Sequence, residues 1–196
     1  MKNAPKSMIV CITILSALLL AVLKVEAYML SPEDLNLIEA IQNGNLKAAQ
    51  NALRNGADAN EKERCIPYRR FLMIAADEGN EDIAKLLLEH GADVNATDVD
   101  GHTALMGAAS FGYLNLVRLL VEHGANVNAA ATVGGYTGYT ALIYASEMGH
   151  VNVVRYLIKH GANINAKKKN GDTALSLAEN NGHTEVARIL REAGAK

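Results

Sequence analysis

Glycines recur along this chain at a nearly fixed interval, and this periodicity constrains the fold more than any other feature. One series comprises Gly44, Gly79, Gly112, Gly149 and Gly182. A second series comprises Gly56, Gly91, Gly124, Gly161 and Gly194, and both are spaced by 35, 33, 37 and 33 residues. Self-similarity with a period of about 20 to 50 residues is typical of repeat architectures. We therefore expect a stack of similar units.

A third marker shares this spacing and indicates what each unit contains. The segments GHTAL, GYTAL and GDTAL carry the threonines Thr103, Thr140 and Thr173. These suit helix N-caps, because the hydroxyl oxygen accepts a hydrogen bond from an otherwise unpaired amide. A first short helix should end at the first glycine series and a second helix at the second, since glycine adopts the left-handed conformation that ends helices. Each unit is predicted to be a helix–turn–helix pair.

The chain resembles the ankyrin repeat family. The motifs Gly-x-Thr-x-Leu, Ala-Ala, Gly-His, Val-Val-x-x-Leu and Gly-Ala-Asp-Val-Asn-Ala stand at the family's spacing, over about residues 31 to 196. The resemblance implies an all-α solenoid of about five helix–turn–helix units with short hairpin fingers, each unit stacked on its neighbours. There are two departures. The family's Thr-Pro-Leu-His becomes TALM, TALI and TALS, and the second unit, with CIPYRRFLMIAA, lacks Gly-x-Thr. We expect an irregular turn there.

The repeat pattern also predicts where the units begin and end. They are a short lead-in at 28–34, an N-terminal capping repeat at 35–63, repeat 2 at 64–97, repeat 3 at 98–130, repeat 4 at 131–167 and a C-terminal capping repeat at 168–196. Repeat 4 contains GGYTGYTAL, whose first Gly-Tyr-Thr belongs to a four-residue insertion in the finger. This lengthened finger is either a partner contact that carries Tyr136 and Tyr139 or a spacer without a partner.

Residues 1–27 differ from the repeats and are predicted to be a secretory signal peptide. Lys2 and Lys6 precede the apolar run MIVCITILSALLLAVL, and Val25 and Ala27 occupy the −3 and −1 positions of a small-residue cleavage site. The 16-residue run is shorter than the ~20 residues that span a bilayer as a helix. Cleavage after Ala27 is the preferred prediction, and an uncleaved anchor or a core helix are the alternatives. An exported protein is expected. A periplasmic location is the preferred prediction, and extracellular or membrane-anchored locations are the alternatives.

The composition and motifs argue against nucleic-acid, metal and catalytic sites. Without residues 1–27 the chain has 16 basic and 20 acidic residues, a net charge of −4 that provides no field to attract nucleic acid. Cys65 is then a lone thiol, and no Gly-x-Ser-x-Gly or P-loop pattern occurs. His90, His123 and His160 could form a metal ladder. In the resembling family, however, this slot commonly holds histidine near helix carbonyls, where a partly charged imidazole is favoured.

The resemblance implies where a partner would bind. In ankyrin proteins the fingers and the exposed side of the first helices line a concave groove. These positions are, in this chain, Asp77, Glu78, Val99, Asp100, His102, Ser110, Phe111, Tyr136, Tyr139, Glu147, Met148, Lys169, Asn170, Asp172, Asn180 and Asn181. We single out Phe111, Tyr136, Tyr139 and Met148, because exposed aromatic side chains commonly anchor protein interfaces. The alternative is that one or two of them pack between neighbouring fingers.

The predicted function is a non-enzymatic, monomeric module that binds another protein in an exported compartment. No cofactor, metal, nucleic acid or small-molecule substrate is expected. One rival is a membrane-anchored scaffold that retains the N-terminal helix, and a second is a secreted effector that acts on host proteins. An enzyme is the weakest rival, because no catalytic constellation is present in the sequence.

Overall fold

The structure, a computed structural model, describes residues 30–61 and 70–196. The predicted signal peptide with its cleavage site, and Cys65, lie outside the described residues. Ten α-helices follow one another within them: α1 (Pro32–Gln42), α2 (Leu46–Arg54), α3 (Phe71–Asp77), α4 (Glu81–Glu89), α5 (Ala104–Ser110), α6 (Leu114–Glu122), α7 (Ala141–Glu147), α8 (Val151–Lys159), α9 (Ala174–Asn180) and α10 (Thr184–Glu192). A 3₁₀ turn at Gly134–Tyr136 lies between α6 and α7. In the part of the chain so described, no helix is long and apolar enough to cross a membrane.

Successive helices pair into units, and the units stack in two layers. The first helices α1, α3, α5, α7 and α9 each contact the next in this order, and the second helices α2, α4, α6, α8 and α10 do the same. The buried core lies between the layers and is built from alanine, leucine, valine and isoleucine with few aromatic residues. The predicted all-α solenoid of helix–turn–helix units is confirmed.

Short hairpins join the later units. In the third unit the backbone amide of Asp98 donates to the carbonyl of His102 at 3.1 Å. In the last unit the amide of Lys168 donates to the carbonyl of Asp172 at 2.9 Å, beside an antiparallel bridge between Lys167 and Thr173. These hairpins are the fingers that the repeat pattern predicted.

The first helices begin where the sequence provides a cap. The hydroxyls of Thr103, Thr140 and Thr173 accept hydrogen bonds from the amide three residues onward, at 3.4, 3.3 and 3.2 Å. Arg70, at the start of α3, makes no side-chain cap, as the missing Gly-x-Thr motif predicts. Helix α1 begins inside the predicted lead-in, because Ser31 caps it and forms a capping box with Asp34.

Asparagines tie each unit to the next along one edge of the stack. The side-chain carbonyls of Asn60, Asn95 and Asn128 each accept a hydrogen bond from a backbone amide of the following unit at 2.7 Å. Their side-chain amides donate to the carbonyl of the following unit's second-series glycine at 2.9 to 3.1 Å. Two hydrogen bonds at each of these three junctions fix the spacing between the units that they join, so the stack holds its fingers at defined positions.

The histidines that end the second helices have a structural role. Nδ1 of His90, His123 and His160 lies 2.8 to 2.9 Å from the carbonyl oxygen four residues earlier. A carbonyl can only accept, so Nδ1 is the donor in each pair. The prediction that these histidines lie near helix carbonyls is confirmed. Across residues 30–61 and 70–196, no group of three or more His, Cys, Asp or Glu side chains is arranged to hold a metal ion.

Candidate functional site

Large apolar side chains are exposed on the side of the stack that carries the fingers. Val99, Phe111, Tyr136 and Met148 are 51, 55, 50 and 49% exposed, respectively. Phe111 and Met148 are the C-cap residues of α5 and α7, so they occupy the same position in neighbouring units. We call these four residues the finger surface. All four belong to the set that the sequence predicted for partner binding.

A cleft of about 340 Å³ opens on this side between α3, α5, α7 and the fingers. Its lining brings together six of the predicted residues, namely Asp77, Asp100, His102, Ser110, Phe111 and Tyr136. It also includes residues that sequence reasoning missed, namely Met73, Asp98, Thr103, Met106, Gly107 and Tyr144. The cleft therefore joins side chains from the second, third and fourth units.

The inserted segment forms one wall of this cleft. The Tyr136 ring, at the end of the 3₁₀ turn, packs edge-on against the His102 ring with centroids 5.0 Å apart. Just before the turn, the amides of Thr132 and Val133 donate to the carbonyl of Asp100 at 2.9 and 3.3 Å. The lengthened finger thus lies against the finger before it and holds Tyr136 over the cleft.

Tyr139 corrects one sequence-based prediction. It was expected to be an exposed anchor, but it is only 8% exposed. Its backbone carbonyl accepts from the amide of Ala131 at 2.9 Å, and its ring centroid lies 4.6 Å from that of Tyr144. Its hydroxyl is 3.4 Å from Glu147 Oε1, and Lys168 Nζ lies 4.3 Å from its ring centroid. Tyr139 is therefore packed at the base of the lengthened finger, which is the packing alternative that the sequence left open.

A polar network holds the floor of the cleft in place. Asp98 Oδ1 accepts hydrogen bonds from the amides of Asp100 and His102 at 2.9 and 2.8 Å, and Asp98 Oδ2 lies 3.4 Å from His102 Nδ1. On the opposite edge of the imidazole, His102 Nε2 lies 2.8 Å from the Tyr144 hydroxyl. Burial raises the pKa of Tyr144, and the nearby Tyr136, Tyr139, Glu147 and Asp98 raise it further. The phenol therefore stays protonated and can donate to Nε2. When it does so, the proton of a neutral imidazole lies on Nδ1, opposite Asp98.

The upward pKa shift of Tyr144 argues against a role for this side chain as a base or nucleophile. A tyrosine that acts as a base or nucleophile needs a pKa brought down toward the working pH, whereas the pKa of Tyr144 is shifted upward. Burial would lower the pKa of Lys168, but the nearby Tyr139, Glu147 and Asp172 outweigh it, so this pKa lies above its ordinary value. Near neutral pH, the Tyr144 phenol therefore stays neutral and the Lys168 side chain stays positively charged.

The remaining predicted residues lie outside the cleft. Glu78 and Asn180 are exposed, and Glu147 is half-buried beside Tyr139. In the last finger, Lys169 is exposed, and the Asn170 side-chain amide donates to Asp172 Oδ2 at 2.7 Å. The Asn181 side-chain amide donates to the carbonyl of Glu147 at 3.0 Å, and this hydrogen bond links the last two units.

Comparison with known families agrees with the architecture. A family model described as ankyrin repeats, in three copies, matches residues 37–131 and 130–196. Together the two matches cover most of the chain and all the helices described above except the first residues of α1, and they include the cleft and the lengthened finger.

Proposed function

The chain belongs to the ankyrin repeat family, and on that premise we propose that it binds another protein through its finger surface. Ankyrin repeats are generally protein–protein interaction modules, and the fold is non-catalytic in the family. One observation carries the proposal. Phe111 and Met148, at equivalent positions of adjacent units, are each about half exposed in a chain with few aromatic residues. Exposed large side chains of this kind are typical anchors of protein interfaces.

The stiffness of the stack supports this proposal. The asparagine bonds between units and the packing of Tyr136 on His102 hold the finger surface in one arrangement before a partner arrives. A surface that is already ordered loses little conformational entropy on binding, so more of the contact energy contributes to affinity. The partner is proposed to be a protein in the same compartment, and the chain is proposed to act as a monomer.

The double variant Phe111→Ala, Met148→Ala tests the finger surface. We expect partner capture to fall at least about tenfold, because truncation of interface anchors costs about 2 kcal/mol or more. The measurement is chemical crosslinking in the native compartment, with quantitative mass spectrometry of the captured proteins. Helical circular dichroism should be unchanged, since both side chains are exposed.

Leu35→Ala is the matched control for this experiment. Leu35 is a large apolar residue that is 47% exposed at the start of α1 and lies outside the finger surface. Its replacement should leave capture intact. Equal capture by the wild type and the double variant would show that the partner does not use the finger surface.

Export is part of the proposal and is tested separately. The motif at Val25 and Ala27 supports cleavage after Ala27, so the intact mass of the protein from its source organism should correspond to a chain that begins at Tyr28. The variant Ala27→Leu should block cleavage, because the −1 position requires a small residue. An intact mass that corresponds to the uncleaved chain would favour the membrane-anchored scaffold instead. Recovery of the protein outside the source cell in a fractionation experiment would favour the secreted effector.

A further inference from the structure

One repeat position in the wall of the cleft lacks a side chain. Gly107 lies in the middle of α5, where the equivalent positions of α3, α7 and α9 hold Ile74, Tyr144 and Leu177. Glycine inside a helix costs about 1 kcal/mol relative to alanine, so this residue is a poor choice for helix stability. A Cβ at Gly107 would overlap the Asp77 carboxylate, which lies directly against the helix there. The Asp77 carboxylate therefore occupies the place of the missing side chain and forms part of the wall of the cleft.

The chemistry of the walls is both aromatic and acidic. Phe111 and Tyr136 stand at the mouth, each about half exposed, and the methionines Met73 and Met106 lie buried beneath. The carboxylates of Asp77, Asp98 and Asp100 also line the cleft. Among the described residues in this lining, none is lysine or arginine.

Asp100 provides the negative charge that is most available to a ligand. The oxygens of Asp98 face backbone amides and the His102 ring, but the Asp100 carboxylate makes no hydrogen bond or ion pair with any residue in 30–61 or 70–196. An apolar side chain that filled the cleft would cover this carboxylate without giving it a partner, which is costly. A cation would instead be attracted by it.

We infer that the cleft receives the guanidinium group of an arginine side chain from the partner protein. This inference rests on the proposed function and names the chemistry of the partner residue. A guanidinium is planar and weakly hydrated, stacks on aromatic rings and can bind a carboxylate through two parallel hydrogen bonds. The rings of Phe111 and Tyr136 and the carboxylate of Asp100 offer both kinds of contact, and the methionines below match the aliphatic stem. A lysine ammonium is more strongly hydrated and gains less from the rings.

A titration with small peptides tests the inference without knowledge of the natural partner. The ¹⁵N-labelled protein is titrated at low salt with acetyl-Gly-Gly-Arg-Gly-Gly-amide, and chemical shifts are followed by NMR. We expect saturable shifts at the amides of Gly107, Ser110 and Phe111. The same peptide with citrulline, which keeps the planar shape but loses the charge, should bind at least about tenfold more weakly. The lysine peptide should also bind more weakly than the arginine peptide.

Three variants locate the site. Gly107→Leu places in the wall of the cleft the residue that α9 has at this position and displaces the Asp77 carboxylate, so it should abolish the saturable shifts. Asp100→Asn keeps the shape of the side chain, which makes no hydrogen bond within residues 30–61 and 70–196. It should weaken binding of the arginine peptide about tenfold and leave binding of the citrulline peptide unaffected. Gly135→Ala is the control, because the finger glycine has open space around its Cβ position, and it should bind as the wild type does.

Some outcomes would overturn the inference. Equal affinity for the citrulline or lysine peptide, or unchanged binding in Asp100→Asn, would show that the cleft does not select a guanidinium. The absence of saturable shifts with the arginine peptide would have the same meaning. None of these results would affect the finger-surface proposal, which depends on capture by the Phe111 and Met148 variant. Conversely, the protein could bind the arginine peptide in the cleft and yet capture no partner through its finger surface. That result would support the cleft assignment and contradict the proposed function.

Discussion

Replacing Phe71 by alanine should lower the free energy of unfolding by about 3 to 5 kcal/mol. Phe71 is completely buried and begins α3, at the junction between the first two units. Deletion of a buried phenylalanine ring removes its transfer free energy and leaves a cavity that the surroundings fill incompletely. Urea unfolding followed by circular dichroism measures the loss.

The position of Phe71 explains why so much depends on it. The equivalent residues that begin α5, α7 and α9 are Ala104, Ala141 and Ala174, so the large ring is specific to this junction. Helix α3 also lacks the side-chain cap that threonine gives to the later first helices, a loss of about 1 kcal/mol. With weaker capping, the placement of α3 depends more on the packing of Phe71.

The same variant should change the cooperativity of unfolding. In a solenoid each unit contacts its neighbours, so a weakened junction can let the terminal unit unfold separately. We expect the free energy of unfolding to depend less steeply on urea concentration, because less surface becomes exposed in the main unfolding transition. Phe111→Ala is the control, and its exposed ring should change stability by less than about 0.5 kcal/mol. A Phe71→Ala protein as stable as this control would contradict the role assigned to the junction.

Most of the backbone could be predicted from the sequence because its signals are local. Thr103 identifies the start of α5, and the two glycine series mark where the paired helices end. Such caps and turns depend on a few consecutive residues, and repetition makes each signal more specific. The capping box of α1, built from Ser31 and Asp34, differs from the Gly-x-Thr motif of the later units, so the repeat pattern does not identify it.

The candidate site was harder to predict, because side-chain direction depends on packing between units. The sequence identified both finger tyrosines, but nothing in it distinguished the buried Tyr139 from the exposed Tyr136. Their difference arises from the pairing of Tyr139 with Ala131 and from the 3₁₀ turn that carries Tyr136. The cleft did leave a signal, since alignment of the repeats places Gly107 where other units have large side chains. The effect of an absent side chain on the shape of the surface can be judged only when the packing of the neighbouring helices is known.

The second large effect is expected for Gly112→Ala, which should lower the free energy of unfolding by about 3 kcal/mol. Gly112 has a φ of +76°, a conformation that costs a residue with a Cβ about 1 to 2 kcal/mol. In addition, a Cβ there would lie 2.5 Å from Nδ1 of His150 in the next unit. The ring cannot move away freely, because His150 Nε2 donates to the carbonyl of Ser110 at 2.8 Å.

A comparison with Gly124 separates the backbone strain at Gly112 from the overlap with His150. Gly124 has a similar φ of +87°, but its Cβ position has no neighbour within 4 Å, so Gly124→Ala should cost only the backbone strain of about 1 to 2 kcal/mol. The overlap with His150 should appear as a coupling energy of about 1 kcal/mol or more when Gly112→Ala is combined with His150→Ala. Thermal and urea unfolding of the four variants measure these differences. Equal losses for Gly112→Ala and Gly124→Ala would mean that the imidazole moves aside, and that the close contact between adjacent units is not what requires glycine at position 112.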